Sequence, residues 1–219
     1  MDGFDHYGEG SEGLDNMVRN VWTSANGVFA TDIKKTGNYS FQIGTGLSRS
    51  CGITRQETDN IDADNYYYYD FGIGFWLYIE ALPVVDTNLI KYTNNEDLQT
   101  AKFVITPEGY IKFVSDSPET TQGTSIIPIT TGKWIHFEAY VKSYSKIYEY
   151  PEQFKLDCEL RLNEVRVLKL DAVSSNRSEI YNVNIDDQNF NTYIDDLFTW
   201  DRNGPVNNTF IGSKRISTI

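Results

Sequence analysis

Asp157 and Glu159 are the nearest approach in this sequence to a catalytic pair of acids. They lie in a segment, Phe154 to Asn163, in which apolar and polar side chains alternate. Glycoside hydrolysis needs two carboxylates that face the substrate together. Here Lys155 and Arg161 share the polar face with both acids, which is typical of salt bridges on a solvated surface. We therefore predict that the protein is not an enzyme.

Other residues that could carry chemistry are sparse. There are two histidines, His6 and His136, and two cysteines, Cys51 and Cys158. His136 alternates with apolar neighbours, which indicates a position on the face of a sheet. Cys158 falls among apolar positions, so we expect a buried reduced thiol that is not bonded to Cys51. The sequence has no phosphate-binding glycine loop, Cys/His metal cluster or nucleophile elbow, so no cofactor is expected.

Aromatic side chains are abundant, at 14% of the residues, with 15 Tyr and 4 Trp. Several of them fall on the polar faces of predicted strands, where they could stack on sugar rings. An alternative is that they pack the sheet and contact other subunits, because Tyr and Trp often anchor protein interfaces. The candidates are Tyr66, Tyr67, Tyr68, Tyr69, Trp76, Trp134 and Tyr140.

The elements that position these residues are strands. Alternation with a period of two runs through Gly132 to Lys142, Phe154 to Asn163 and Val165 to Leu170, which predicts an antiparallel meander. The apolar face of this meander must be covered by a second sheet. We expect about twelve strands, no helix of eight residues or more, and one domain over residues 19–219. The predicted core residues are Phe71, Phe75, Leu77, Phe137, Leu156, Leu160, Leu162, Leu197 and Phe210.

The net charge of the protein and its N-terminal segment restrict which partners it is expected to bind. The formal net charge is −12, which argues against binding to nucleic acid or to an anionic membrane surface. The first residues lack the basic and apolar regions of a signal peptide, so we expect a product made in a cytoplasm. Residues 1–18 are polar and predict an extension that packs on the C-terminal strands or on a neighbouring subunit. Phe4 and Tyr7 are its expected assembly contacts.

The two ends of the chain resemble a known family. Residues 193–216, which begin Tyr-Ile-Asp-Asp-Leu-Phe-Thr-Trp-Asp, are similar to the last two strands of concanavalin A-like, laminin-G-like jelly rolls. The versions in structural proteins of tailed bacteriophages are the most similar. Further landmarks follow in the family's order at Asp2-Gly-Phe-Asp-His-Tyr, Gly37-Asn-Tyr-Ser-Phe, Phe75-Trp-Leu-Tyr-Ile and Gly132-Lys-Trp-Ile-His-Phe-Glu. The resemblance implies an all-β jelly-roll sandwich of two antiparallel sheets, with N- and C-terminal strands side by side.

The resemblance also implies a function. It predicts a structural subunit of a bacteriophage virion, either a head decoration or a tail-associated accessory protein. Its partners would be major capsid or tail subunits, with the protein itself repeated or homo-oligomeric on the particle. The alternative is a lectin-like carbohydrate-binding module that attaches to glycans of the host surface. Glycosidases with this fold share a strand motif Glu-X-Asp-X-X-Glu, and Asp157-Cys-Glu159 lacks its first Glu.

Asp195 and Asp196 belong to the family-like C-terminal motif. Adjacent residues of a strand point to opposite faces, so one of the two carboxylates is directed inward. A buried carboxylate must be hydrogen-bonded or paired. We expect it to accept hydrogen bonds from the backbone of a neighbouring loop. The alternative is a calcium site completed by loop carbonyl groups, because calcium prefers oxygen ligands.

Overall fold

The computed structural model describes residues 4–5, 7, 10–20, 27–43, 49–54, 60–61, 66–94, 96–116, 119–146, 154–177, 179–187 and 191–200. Structural statements below refer to these residues. The predicted core residue Phe210 lies outside them, as do the side chains of Tyr66, Tyr67 and Tyr68.

Within the described residues the chain forms one helix and fourteen strands. The helix α1 spans Gly10–Asn20. The strands are β1 (Val28–Ala30), β2 (Ser40–Ile43), β3 (Arg49–Thr54), β4 (Asn60–Ile61), β5 (Tyr66–Ile79), β6 (Thr87–Thr93), β7 (Gln99–Ile105), β8 (Ile111–Ser115), β9 (Thr120–Thr124), β10 (Trp134–Lys146), β11 (Phe154–Leu162), β12 (Val165–Ser175), β13 (Asn182–Asp187) and β14 (Thr192–Trp200).

The strands form two antiparallel sheets. The larger has eight strands in the order β1-β2-β14-β5-β10-β11-β12, with β4 also paired to β5. The smaller has six strands in the order β3-β13-β6-β7-β8-β9. Strand β14 pairs with β2, so strands from the two ends of the chain are neighbours, as expected. The predicted fold class, an all-β jelly-roll sandwich, is confirmed.

Local sequence sets two of the turns. Asn163 and Glu164 join β11 to β12 with φ values of 50° and 70°, the left-handed conformation that a tight hairpin turn requires. The turn from Thr106 to Gly109 closes with a 2.9 Å hydrogen bond from the Gly109 N–H to the Thr106 carbonyl oxygen. Glycine suits the last position because its φ is 85°.

The core lies between the facing sides of the sheets. Phe75 and Phe137 stack in the larger sheet at 5.2 Å, and Phe103 of the smaller sheet meets Phe137 edge-on at 6.4 Å. Every predicted core residue that the structure describes is buried. These residues are Phe71, Phe75, Leu77, Phe137, Leu156, Leu160, Leu162 and Leu197.

The N-terminal segment differs from its prediction as a polar extension. Helix α1 covers eleven residues, and the predicted boundary after residue 18 falls inside it. Phe4 and Tyr7 are buried in the same core cluster as both sheets, and Phe4 stacks on Phe41 of β2 at 5.6 Å. Side chains buried in their own chain have no surface to offer a neighbouring subunit. The expectation that Phe4 and Tyr7 are assembly contacts therefore needs correction.

Strand β13 lies in a segment whose composition favours a loop. Its Asn and Asp residues are poor strand formers. Val183 and Ile185 nevertheless alternate with them and are fully buried, and β13 pairs with both β3 and β6. Burial of these two side chains in the sandwich outweighs the local preference for a loop.

Candidate functional site

The candidate site lies on the outer face, the side of the eight-stranded sheet that is turned away from the six-stranded sheet. Strands β5, β10, β11 and β14 supply it. Directly opposed residues of neighbouring strands share a face. Trp134 is opposed to Tyr78, and Tyr78 is opposed to Tyr193, so these three side chains form one line across the sheet. We call Trp134, Tyr78 and Tyr193 the aromatic row.

The rings of the aromatic row are in contact but are not coplanar. The ring centroids of Trp134 and Tyr78 are 5.5 Å apart with an interplanar angle of 54°. Those of Tyr78 and Tyr193 are 6.0 Å apart at 78°. Trp134 and Tyr78 are partly exposed, whereas Tyr193 is 5% exposed. Gln42 of β2 is opposed to Tyr193 and continues the row with a polar side chain.

The aromatic row is bordered by a cluster of polar groups around Glu80, the residue that follows β5. The Glu80 carboxylate accepts a 2.7 Å hydrogen bond from Asn191 Nδ2 and a 3.5 Å one from the Tyr193 hydroxyl. Burial raises the pKa of Tyr193, and the charges of Glu80 and Asp32 raise it further. The Tyr193 hydroxyl therefore stays protonated and able to donate. The site thus offers apolar ring surfaces beside a carboxylate and two amides.

Trp76 lies next to the aromatic row and is half-buried. Lys35 Nζ sits 4.0 Å from the centroid of its ring, and His136 meets it at 5.0 Å. Trp76 was predicted as an aromatic contact residue, and the structure places it on the outer face. Lys35 already occupies one of its contact positions, however, so Trp76 offers less ring surface to a ligand than Trp134.

Two glycines of β5 let large rings lie against the sheet backbone. A Cβ added at Gly72 would come within 2.0 Å of the Trp200 ring, and one at Gly74 within 2.3 Å of the Phe198 ring. The Phe198 and Trp200 rings are themselves stacked at 5.6 Å. The small residues Gly72 and Gly74 thus permit a close approach to this face, and β14 supplies it.

Tyr140 corrects the sequence prediction of an exposed aromatic residue. It is only 3% exposed and packs in a cluster with Phe198 and Trp200. Its hydroxyl donates a 3.3 Å hydrogen bond to Asp70. Alternation in β10 placed Tyr140 on the correct face, but the cover comes from β14, which is distant in sequence. Tyr140 therefore cannot stack on a ligand.

His136 and Glu138 are also buried on the outer face. His136 Nδ1 is 3.7 Å from Glu138 Oε2, which is too long for a hydrogen bond. Burial lowers the pKa of His136 to about 4, although the charge of Glu164 acts in the opposite direction. The imidazole is therefore neutral near pH 7. Its ring contacts Trp76 and Phe198 and is part of the packing on this face.

Asp195 holds the loop that connects β1 to β2. It is opposed to Trp76, so it lies on the outer face, and this loop buries it. One carboxylate oxygen accepts 3.0 Å hydrogen bonds from the backbone N–H groups of Lys35 and Thr36, and the other accepts one of 2.8 Å from Asp196 N–H. Burial raises the pKa of Asp195 to about 6, partly offset by the bond from Thr36. These are the expected hydrogen bonds from a loop backbone, but Asp195 is buried under the loop on the outer face and is not directed inward as predicted.

The donor set at these two acids does not suit calcium. Both Asp195 oxygens are occupied by backbone N–H groups, and Asp196 accepts a 3.0 Å hydrogen bond from the Thr36 hydroxyl. The part of the chain that the structure describes contains no group of three His, Cys, Asp or Glu residues able to hold a metal. Calcium binding at Asp195 and Asp196 stays an untested prediction, which this bonding disfavours.

The acids of β11 form contacts with nearby residues. Glu159 Oε1 accepts hydrogen bonds of 2.8 Å from both Nε and Nη2 of Arg161. Asp157 accepts a 3.1 Å bond from the Tyr144 hydroxyl and a 2.8 Å bond from Ala172 N–H. Of the predicted surface salt bridges, the one between Glu159 and Arg161 is present, whereas Asp157 does not pair with Lys155, which bonds Ser174 instead. Cys158, between the two acids, is a free buried thiol whose pKa burial raises.

The structure locates only part of the predicted tyrosine run. Tyr69 is half-buried, with its ring 5.7 Å from that of Tyr181.

Sequence reasoning did not select Tyr78, Tyr193 or Glu80. Tyr78 was detectable, since it alternates on the same face as Trp76. The position of Tyr193 depends on the pairing of β14 with β5, which local patterns do not reveal.

Comparisons with known proteins show the fold. No protein-family model and no curated protein matches the chain. The solved structure of the cellulose-induced protein Cip1 is 14% identical, with a TM-score of 0.55 over 80% of this chain and 85% of that one. Botulinum neurotoxin type C is 12% identical, with a TM-score of 0.50 over 81% of this chain and 42% of the toxin chain. The carbohydrate-binding module CBM66 from Bacillus subtilis is 14% identical, with a TM-score of 0.48 over 83% and 98%.

The two likenesses with TM-scores of 0.50 and 0.55 agree with a jelly-roll-like β-sandwich. None of the three structures points to a family of bacteriophage proteins, so the finer resemblance expected from the sequence is not supported. The residues that the structure describes include no helix long and apolar enough to cross a membrane.

Proposed function

We propose that this protein is a non-catalytic carbohydrate-binding module and that the aromatic row is its glycan site. The observation that carries the proposal is the contact of Trp134, Tyr78 and Tyr193 on three neighbouring strands, bordered by polar groups. Sugar rings combine an apolar face with peripheral hydroxyl groups. Ring surfaces can pack on the apolar face, while Glu80, Asn191 and Gln42 are placed to bind hydroxyls.

The fold supports the same class of function by analogy. The botulinum neurotoxin type C structure is described as that of a toxin whose cell entry depends on interaction with two ganglioside molecules, and gangliosides carry glycans. This chain spans 42% of that toxin chain, so the toxin's activity as a whole does not transfer. Fold analogy alone does not establish function, and the aromatic row is the stronger support.

The geometry of the row favours one kind of glycan. Only the Trp134 and Tyr78 rings are partly exposed, and they are inclined to each other by 54°, so they do not make a flat platform. The Tyr193 ring is buried and supports Tyr78 from its edge. A flat crystalline polysaccharide requires coplanar rings to contact several sugars at once. An inclined set instead suits a single soluble chain whose successive sugar rings turn relative to one another.

The proposal is tested by screening the protein on a glycan array and measuring the hits by calorimetry. Trp134→Ala and Tyr78→Ala should each weaken binding at least about tenfold, which is ~1.4 kcal/mol. Tyr110→Ala is the matched control, because Tyr110 is an exposed aromatic residue that lies in the turn between β7 and β8 of the other sheet. An array without hits, or equal losses for Tyr110→Ala and Trp134→Ala, would contradict the proposal.

The virion role expected from the resemblance stays a prediction. Neither the structure nor the comparisons supply an observation in its favour, and the same holds for capsid or tail partners and for a location on a particle. Mass spectrometry of purified phage particles from a host that carries this sequence would test it. Absence of the protein from every such particle would contradict the predicted virion role.

A further inference from the structure

A polar cavity lies at a second position, where the edges of the two sheets meet. It has a volume of about 180 Å³ and opens between β8 and β9 of the smaller sheet and β12 of the larger. Ser175 of β12 is paired with Phe154, and Phe154 with Ser145 near the far end of β10. Trp134 is at the other end of β10. The cavity and the aromatic row are therefore separate sites.

The lining of the cavity is entirely polar. It combines four hydroxyl groups, two amides and one carboxylate, and no lining residue is positively charged. An anion would meet the carboxylate without a cation to balance it, so anionic ligands are disfavoured. The residues that carry the argument are Ser115, Asp116, Gln122 and Ser175.

Asp116 is fixed at the base of the cavity. It is 2% exposed, and its Oδ1 accepts a 3.0 Å hydrogen bond from Asn176 N–H. The Ser175 hydroxyl lies 3.2 Å from the same oxygen, but the Arg177 carbonyl is a nearer acceptor for its proton at 2.8 Å. Its Oδ2 shares the Asn176 N–H at 3.2 Å. A carboxylate has about four acceptor positions, so Oδ2 retains the capacity to accept from a ligand hydroxyl.

Other polar atoms complete a set of alternating donors and acceptors. Ser115 Oγ accepts a 2.8 Å hydrogen bond from Gln122 Nε2, so the Ser115 hydroxyl proton can still be donated and Gln122 Oε1 can still accept. The Ser174 side chain does not join this set, because it is opposed to Lys155 and accepts a 3.2 Å bond from Lys155 Nζ on the other side of β12 from Ser175. A hydroxyl group both donates and accepts, so neighbouring hydroxyls of a sugar match this arrangement.

A metal cation fits the cavity poorly. Calcium takes six to eight oxygen ligands, of which several are usually carboxylates, whereas Asp116 is the one carboxylate among the lining residues. The size of the cavity is below that of typical sites for drug-sized ligands, which begin near roughly 300 Å³. The space suits one compact, uncharged group with several hydroxyls.

We propose that this cavity is a second carbohydrate subsite, which takes a single neutral monosaccharide unit through hydrogen bonds and without aromatic stacking. The inference rests on the proposed function for the class of ligand. The two sites share no residue, however, so each can fail independently of the other.

Titration of the ¹⁵N-labelled protein, followed by NMR, tests the inference. The probes are D-glucose, D-galactose, D-mannose and N-acetyl-D-glucosamine at millimolar concentrations. At least one sugar should shift the backbone amides of residues 115–116, 120–122 and 174–176. Gln122→Leu and Ser115→Ala each remove one hydrogen-bonding group and should weaken that response by about three- to tenfold.

Thr121→Val is the matched control, because Thr121 adjoins Gln122 in β9 but points to the other side of the strand. It should leave the response unchanged, as should Trp134→Ala at the aromatic row. No shift of the cavity amides with any of the four sugars would overturn the inference, whether or not the aromatic row binds. The same shifts produced by calcium chloride alone would also overturn it and would assign a cation site.

Discussion

The outer face of the eight-stranded sheet has two halves that differ in what covers them. On β11 and β12, charged side chains form exposed pairs, such as Lys169 with Asp171 at 2.9 Å, where the side chains are 46% and 64% exposed. On β5, β10 and β14 the same face is closed except around the partly exposed Trp134 and Tyr78, and Glu138 is 0% exposed. Both halves show the same alternation along the chain. Alternation therefore assigns a residue to a face but does not say whether that face meets water.

A β-bulge in β14 produces much of the difference. Pairing with β5 shifts by one residue between Asp195 and Phe198, and Asp196 adopts a φ of 49°. Without this extra residue, Phe198 and Trp200 would share a face with Ile194, which points into the core. The bulge turns both rings to the outer face, where Gly72 and Gly74 leave room for them.

The largest expected effect on stability comes from a residue of β11 that faces the core beneath the charged half. Leu160 is fully buried, so Leu160→Ala should lower the free energy of unfolding by about 2–5 kcal/mol. Urea denaturation measures the change. Glu159→Ala, one position away on the outer side of the same strand, is the control. Equal losses in the two variants would show that β11 does not separate a core side from a surface side.

The closed half should respond to pH through His136. The folded pKa is about 4 and the ordinary value is 6.5, so between these pH values the unfolded chain binds the proton and the folded chain does not. Stability from this residue is complete above pH 6.5 and is lost as the pH falls towards 4. The loss is up to about 3 kcal/mol.

His136→Phe keeps an aromatic ring against Trp76 and Phe198 and should remove that loss. Asp195 acts in the opposite direction, because its raised pKa of about 6 favours the folded state as the pH falls from 6 towards 3.8. The variant should therefore gain stability relative to the unchanged protein between pH 7 and pH 4.5 in urea titrations. A constant difference across this range would mean that His136 is not buried in its neutral form.

Filling the space at Gly72 should have a smaller effect. Gly72→Ala places a methyl group into the Trp200 ring and should cost about 1–3 kcal/mol. Trp200→Ala removes the obstacle, so the double variant should be more stable than the sum of the two single losses predicts. A strictly additive cycle in thermal or urea unfolding would contradict the contact between Gly72 and Trp200.

The smallest effect is expected in the charged half. Glu159→Ala breaks the pair with Arg161 on a partly exposed surface and should change the free energy of unfolding by less than about 1 kcal/mol. The difference should shrink further when unfolding is measured in high salt. A loss of several kcal/mol that persists in salt would show that this half is covered in the same way as the other.

Local sequence predicted the faces of β10 and β11 because each contributes its own alternating side chains to one core. It did not predict β13, whose strand conformation depends on Val183 and Ile185 entering the sandwich between two other strands. The aromatic row was predicted only at Trp134. Its other members join through strand pairing, so no window of neighbouring residues contains the site.

The bond between the Lys35 N–H and Asp195 has a consequence for the time course of biosynthesis. The two residues are 160 positions apart, which corresponds to roughly 8–30 s of synthesis at 5–20 residues per second. Until the ribosome has delivered Asp195, the loop after β1 lacks the acceptor for its N–H groups. The strands made earlier then have an unpaired edge. Until β14 is synthesised, this edge of the nascent chain can pair with strands of other chains.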